Sequence, residues 1–201
     1  MAEFLGAAAI AFGAIFIAEF GDKSQLLVLA FATRHAWAPV VAGIVIAAST
    51  VQGVSVAVGA ALGATLPETL ISVVAGLAFL GVAAWTLLDR DEDAAEDEAV
   101  AASSARSRGW IGVAAVVAGT FIVSELGDKT MLATFALAAR QDPIGTWIGG
   151  AAGMVAANLV AVVIGNRVGA RLDPRVIRIG SAALFAVAGV LVIAGALLGG
   201  D

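Results

Sequence analysis

The sequence predicts an all-α integral membrane protein, with six transmembrane helices arranged as two inverted three-helix repeats. Three observations predict it. First, 61% of the 201 residues are hydrophobic, only 13% are charged and the mean hydropathy is +1.00; soluble domains are about a quarter charged. Second, six stretches reach the roughly 20 apolar residues that span a bilayer core. Third, the second half of the chain repeats the first at a fixed offset. Abundant Gly and Ala fit close helix packing in lipid.

In chain order, span one is expected over residues 4–33, span two over 39–66 and span three over 68–88. A polar linker follows over 89–108, then span four over 109–139, span five over 143–167 and span six over 174–199. Pro39, Pro67, Pro143 and Pro174 fall at the proposed helix starts, where proline costs least. The N-terminus has neither the basic residues nor the cleavage site of a signal peptide, and its apolar stretch is too long for one, so it is expected to stay as a span. The chain thus divides into a first repeat (1–88), an acidic linker (89–108) and a second repeat (109–201).

The net charge of −5 is mostly local. Asp89, Asp91, Glu92, Asp93, Glu96, Asp97 and Glu98 supply seven of the sixteen acids. Such composition suits a solvated segment. There is no Cys, which excludes disulfides and thiolate chemistry, and the single His35 cannot build a polyhistidine site.

The repeat is carried by "AEFGDKSQ" (18–25) and "SELGDKTM" (124–131). Glu19 and Glu125 differ by 125 − 19 = 106, and at that offset Gly13 meets Gly119, Gly21 meets Gly127, Asp22 meets Asp128 and Lys23 meets Lys129. Ser24 meets Thr130, keeping a hydroxyl, and Gln52 meets Asn158, keeping an amide. An odd number of spans per repeat makes the two halves enter the membrane from opposite sides, the architecture of many secondary transporters. Arg34, Arg90, Arg106, Arg108, Arg167, Arg171, Arg175 and Arg178 would share one face, and Arg140 alone the other. The positive-inside rule then places both termini outside and the linker in the cytoplasm.

Charged residues inside a span are costly and mark ion pathways or proton relays. Glu19 and Asp22 are three apart and share a helix face; so do Glu125 and Asp128. The four acids supply −4 and Lys23 and Lys129 supply +2. The remainder is −2, which one divalent cation or two protons would neutralise. Carboxylate, amide and hydroxyl oxygens suit hard cations such as Mn²⁺, Ca²⁺ or Mg²⁺. Gln52 and Asn158 are candidate neutral ligands or interhelical hydrogen-bonders. Ser24 and Thr130 can ligate or can hydrogen-bond the acids, and the lysines fit charge balance. Each motif glycine permits close approach or a local break of the helix. Met131 reads as packing, and Trp37, Trp85, Trp110 and Trp147 as interfacial anchors.

The hexapeptides "EFGDKS" and "ELGDKT" fit Glu, apolar, Gly, Asp, Lys or Arg, Ser or Thr. In this the chain resembles the Gdt-type family of membrane cation exchangers, within the lysine-exporter superfamily, over essentially its whole length. The resemblance implies an Mn²⁺ or Ca²⁺ transporter that exchanges the cation for protons, as bacterial members that look like manganese exporters do. It carries the site to Glu19, Gly21, Asp22, Lys23 and Ser24 and to Glu125, Gly127, Asp128, Lys129 and Thr130. It also implies a prokaryotic plasma-membrane protein, with the bilayer and a divalent cation as partners, no resident cofactor, no nucleic acid and no enzyme activity. An exporter of amino acids or other small solutes, and a non-transporting scaffold, are the alternatives. The surplus of acid argues against the first. The second would leave two acidic clusters without a purpose.

Overall fold

Apolar stretches with proline only at or before their first turn form eight helices among the described residues. These residues, in a computed structural model, are 1–20, 22–88, 109–168 and 174–198. The helices are α1 (Ala2–Glu19), α2 (Lys23–Arg34), α3 (Trp37–Thr65), α4 (Glu68–Leu88), α5 (Trp110–Glu125), α6 (Lys129–Ala138), α7 (Pro143–Val168) and α8 (Pro174–Leu198). No strand occurs among the described residues. The acidic linker expected over 89–108 lies outside them.

The motif glycines permit either close approach or a local break in spans one and four, and both spans are broken inside the repeated motif. α1 stops at Glu19 and α2 starts at Lys23; α5 stops at Glu125 and α6 starts at Lys129. The two breaks share their geometry. Phe20 and Leu126 are extended, with φ/ψ of −71°/117° and −67°/115°. Asp22 and Asp128 follow at −84°/163° and −75°/167° as N-caps of the next helices. Asp22 N–H donates to Glu19 O at 3.1 Å, and Asp128 N–H donates to Glu125 O at 3.2 Å. Gly127 has φ +85°, a left-handed conformation that costs a residue with a Cβ about 1–2 kcal/mol. Its counterpart Gly21 lies outside the described residues. The bend between α5 and α6 is 79°.

By length and composition, α1, α3, α4 and α7 can each cross a membrane, and the bent pair α5–α6 makes a fifth span if counted as one. The apolar part of α8, Ala182–Leu198, is shorter. Among the described residues, length and composition thus give four to five candidate spans, where six are expected. Burial is distributed as lipid demands. Ile10, Val54, Leu77, Val123, Ile148, Val187 and Leu191 point outward, while Glu19, Gln52, Glu125, Lys129, Thr130 and Asn158 are buried. The apolar core between them is centred on Ile15, Phe31, Ile44, Phe121, Met154 and Phe185.

Helix packing follows the repeat offset. α1 packs mainly on α7, and its counterpart α5 packs on α3, so each half's first helix lies against the other half. The glycines permit it. A Cβ on Gly43 of α3 would sit 2.7 Å from the carbonyl oxygen of Ala114 in α5, and one on Gly149 of α7 would collide with that of Ala8 in α1. Gly43 and Gly149 differ by 106, and so do Ala8 and Ala114. α4 and α8 cross closely as well, with the Phe79 and Phe185 rings stacked 5.9 Å apart.

Gly43→Val and Gly149→Val are each expected to destabilise the folded chain by about 1–3 kcal/mol, because helix backbones must separate. Gly119→Ala, with open space around it, is expected to be neutral. Thermal unfolding in detergent checks both, and an unchanged melting temperature for Gly149→Val would refute the close crossing.

Candidate metal centre

The breaks bring the acids together. One carboxylate oxygen each from Glu19, Asp22 and Glu125 lies within 4.8 Å of the others. Oxygens on opposite sides of a cation with bonds of about 2.3–2.6 Å are about 4.6–5.2 Å apart. The three can therefore share one ion. Glu19 and Glu125 end α1 and α5; Asp22 caps α2, where an anionic side chain meets the positive end of the helix dipole. Asp128 is buried and close enough to act electrostatically on Glu19, Glu125 and Lys129, but it lies outside the triad.

The remaining predicted residues surround this cluster unevenly. Lys129 forms an ion pair with Asp22, joining the second motif to the first. Its counterpart Lys23 has a side chain outside the described residues. Ser24 Oγ donates to Glu19 Oε2 at 2.9 Å, and Thr130 Oγ1 to Glu125 Oε2 at a looser 3.4 Å. Both hydroxyls hold an acid, and Glu19 Oε1 and Asp22 Oδ2 are left buried with no hydrogen-bond partner among the described residues. Asn158 Nδ2 donates to Met154 O in its own helix at 2.9 Å, and its Oδ1 is buried without a partner. Among the described residues Gln52 makes no hydrogen bond to an acid. It meets Thr134, one helical turn beyond Thr130, at 2.7 Å.

Four contacts are not foreseen by the repeat. Thr134 faces Val28 at the 106-residue offset, so comparing the halves gives no signal. Its four-residue spacing from Thr130, which puts both on one face of α6, is the clue available. Gln25 donates from Nε2 to the carbonyl of Ala157, beside Asn158, at 3.1 Å. Met131 Sδ accepts the Gly127 N–H at 3.1 Å, closing the second break. Trp147, at a span end, also ties its indole N–H to Ser49 O at 2.9 Å.

Comparison with known proteins adds the lineage. The family model described as divalent cation/proton antiporter GDT1 matches residues 7–94 and 113–199. Those segments begin 113 − 7 = 106 apart, the internal offset. The chain is 33% identical over 209 residues to Protein PAM71, chloroplastic, of Arabidopsis thaliana, covering 92% of this chain and 56% of the relative. GDT1-like protein 1, chloroplastic, of Oryza sativa subsp. indica is 30% identical, with coverage of 92% and 61%. A Vibrio cholerae protein named "Putative manganese exporter" is 32% identical over 180 residues, with coverage of 88% and 85%. The chain thus spans little more than half the length of these chloroplast relatives. No solved structure matches it. With both halves matched, the chain belongs to the GDT1 family of divalent cation/proton antiporters, a family of transporters rather than enzymes.

Proposed function

We propose that this chain exports a divalent cation from the cytoplasm in exchange for protons, with Mn²⁺ the first candidate and Ca²⁺ the second. The observation that carries the reading is the convergence of Glu19, Asp22 and Glu125, from two repeat-related motifs, on a space one ion can fill. Asp128 completes the anionic set, and Gln52 and Asn158 add neutral oxygens. Ser24 and Thr130 fix carboxylate rotamers, while Lys129 and Lys23 offset charge. The name of the Vibrio cholerae relative supports manganese as the cargo, and its bacterial source supports a plasma membrane as the location.

The architecture proposed is six spans in two inverted repeats, with both termini outside and the acidic linker cytoplasmic. The exchange of packing partners between halves supports it, as do the matching breaks and the arginine distribution. In this scheme protons and cation compete for the same carboxylates. Cation binding expels protons, and reprotonation after release neutralises the site for its return. The broken helices supply joints about which access can alternate.

In proteoliposomes under a pH gradient, Asp22→Asn and Asp128→Asn are expected to lower Mn²⁺ flux at least as much as the roughly 10–100-fold typical of outer-shell partners. Wild-type flux in both would refute the site. Because protons occupy the oxygens the cation needs, apparent Mn²⁺ affinity is expected to weaken as pH falls. Calorimetry in buffers of different ionisation enthalpy is expected to detect proton release on binding. An affinity independent of pH would refute shared-site exchange.

A further inference from the structure

Gln52 is fully buried in α3, and its carboxamide lies between two neighbours. On one side Thr134 Oγ1 is 2.7 Å from Gln52 Oε1. On the other is the bare backbone of Gly150 in α7, where a Cβ would be 2.9 Å from Oε1 and 3.2 Å from Cδ. Thr134 Oγ1 also lies 2.9 Å from the carbonyl oxygen of Thr130. A hydroxyl has one proton, so Thr134 cannot donate fully to both oxygens. With Oε1 toward Thr134, the Gln52 NH₂ is also left buried without an acceptor among the described residues. An unmade buried donor costs about 1–3 kcal/mol.

Turning the carboxamide by 180° removes both conflicts. The two ends of an amide are assigned by their hydrogen-bond network. After the turn, the NH₂ donates to Thr134 Oγ1, Thr134 donates to the Thr130 carbonyl, and the Gln52 oxygen is the unpartnered atom. Its repeat counterpart already has that arrangement: Asn158 anchors its NH₂ on Met154 O and leaves Oδ1 unpartnered. Both halves then present one free amide oxygen inside the protein. The anchors differ, however. At the 106-residue offset Thr134 corresponds to Val28 and Gly150 to Ile44, so the seat around Gln52 belongs to one half only.

We propose that Thr134 and Gly150 are positioning residues for the cation site, holding the Gln52 carboxamide so that its oxygen, not its NH₂, meets the divalent cation. This rests on the cation reading above. An amide oxygen is a ligand of the kind hard cations take, whereas an NH₂ turned toward the ion would repel it. The seat is linked to the acids through Thr130, whose carbonyl receives Thr134 and whose own hydroxyl goes to Glu125.

The test is equilibrium Mn²⁺ binding to the purified full chain at fixed pH, with melting temperature without Mn²⁺ as the check on folding. Thr134→Val keeps the shape and removes the hydroxyl; it is expected to weaken binding about tenfold, as loss of an outer-shell partner does. Thr134→Ser is expected to restore it. Gly150→Ala displaces only the far end of a flexible side chain, so it is expected to fold normally and also weaken binding. It carries the test if Thr134→Val does not fold. In a Gln52→Leu background, Thr134→Val is expected to add no further loss. Wild-type affinity in Thr134→Val, or in Gly150→Ala, would overturn the proposal, as would a further loss in the Gln52→Leu background. Failure of the wild-type chain to bind Mn²⁺ at any pH would instead overturn the cation reading itself.

Discussion

Carboxylates from distant parts of the chain meet where water is scarce, and this concentration of like charge governs the rest of the molecule. A single Asp or Lys at the centre of a membrane helix costs about 2.5–3.5 kcal/mol on insertion scales. Here Glu19, Asp22 and Glu125 lie together, with Asp128 buried nearby. The protein offsets part of that cost itself. Lys129 crosses from the second motif to Asp22, Ser24 and Thr130 give hydroxyls to the glutamates, and the aspartates sit at helix N-termini. Two motif lysines do not balance four motif acids, and the uncompensated charge is what makes the cluster a place for a mobile cation or for protons.

In this protein the cluster is built on broken helices. In a continuous helix, Glu19 and Asp22 would project from one rod with every backbone group satisfied. Stopping α1 at Glu19 and restarting at Asp22 places one acid at a helix C-terminus and the other at an N-terminus. The second motif does the same with nearly the same dihedral angles. Glycine makes the step possible, as Gly127 illustrates, and the Met131 sulfur takes up its N–H. The close crossings at Gly43 and Gly149 then seat each broken helix against the other half.

Much of this was legible in the sequence because it was written twice. The 106-residue offset identified the acids, the hydroxyls at Ser24 and Thr130, and the amides at Gln52 and Asn158. Proline positions gave the starts of α3, α4, α7 and α8 to within a residue or two. The breaks were not legible: a glycine within an apolar run is compatible with an intact transmembrane helix, and tertiary charge burial decides between them. Thr134 and Gln25 were missed for a related reason. Each has an apolar counterpart in the other half, so symmetry hid them. The cross-half pairing of Lys129 with Asp22 was equally invisible, since adjacency in sequence suggests Asp22 with Lys23.

The exchange of packing partners has a consequence for biosynthesis. α1 rests on α7, more than a hundred residues downstream, and α3 rests on α5. When the first half leaves the ribosome, the surfaces that will cover Glu19 and Asp22 have not been made. The nascent chain must hold those acids in the membrane without Lys129 to pair with Asp22, and nothing in the first half alone can close the site. Assembly is therefore a late, whole-chain event, and the interval before it is when the protein is most open to quality control.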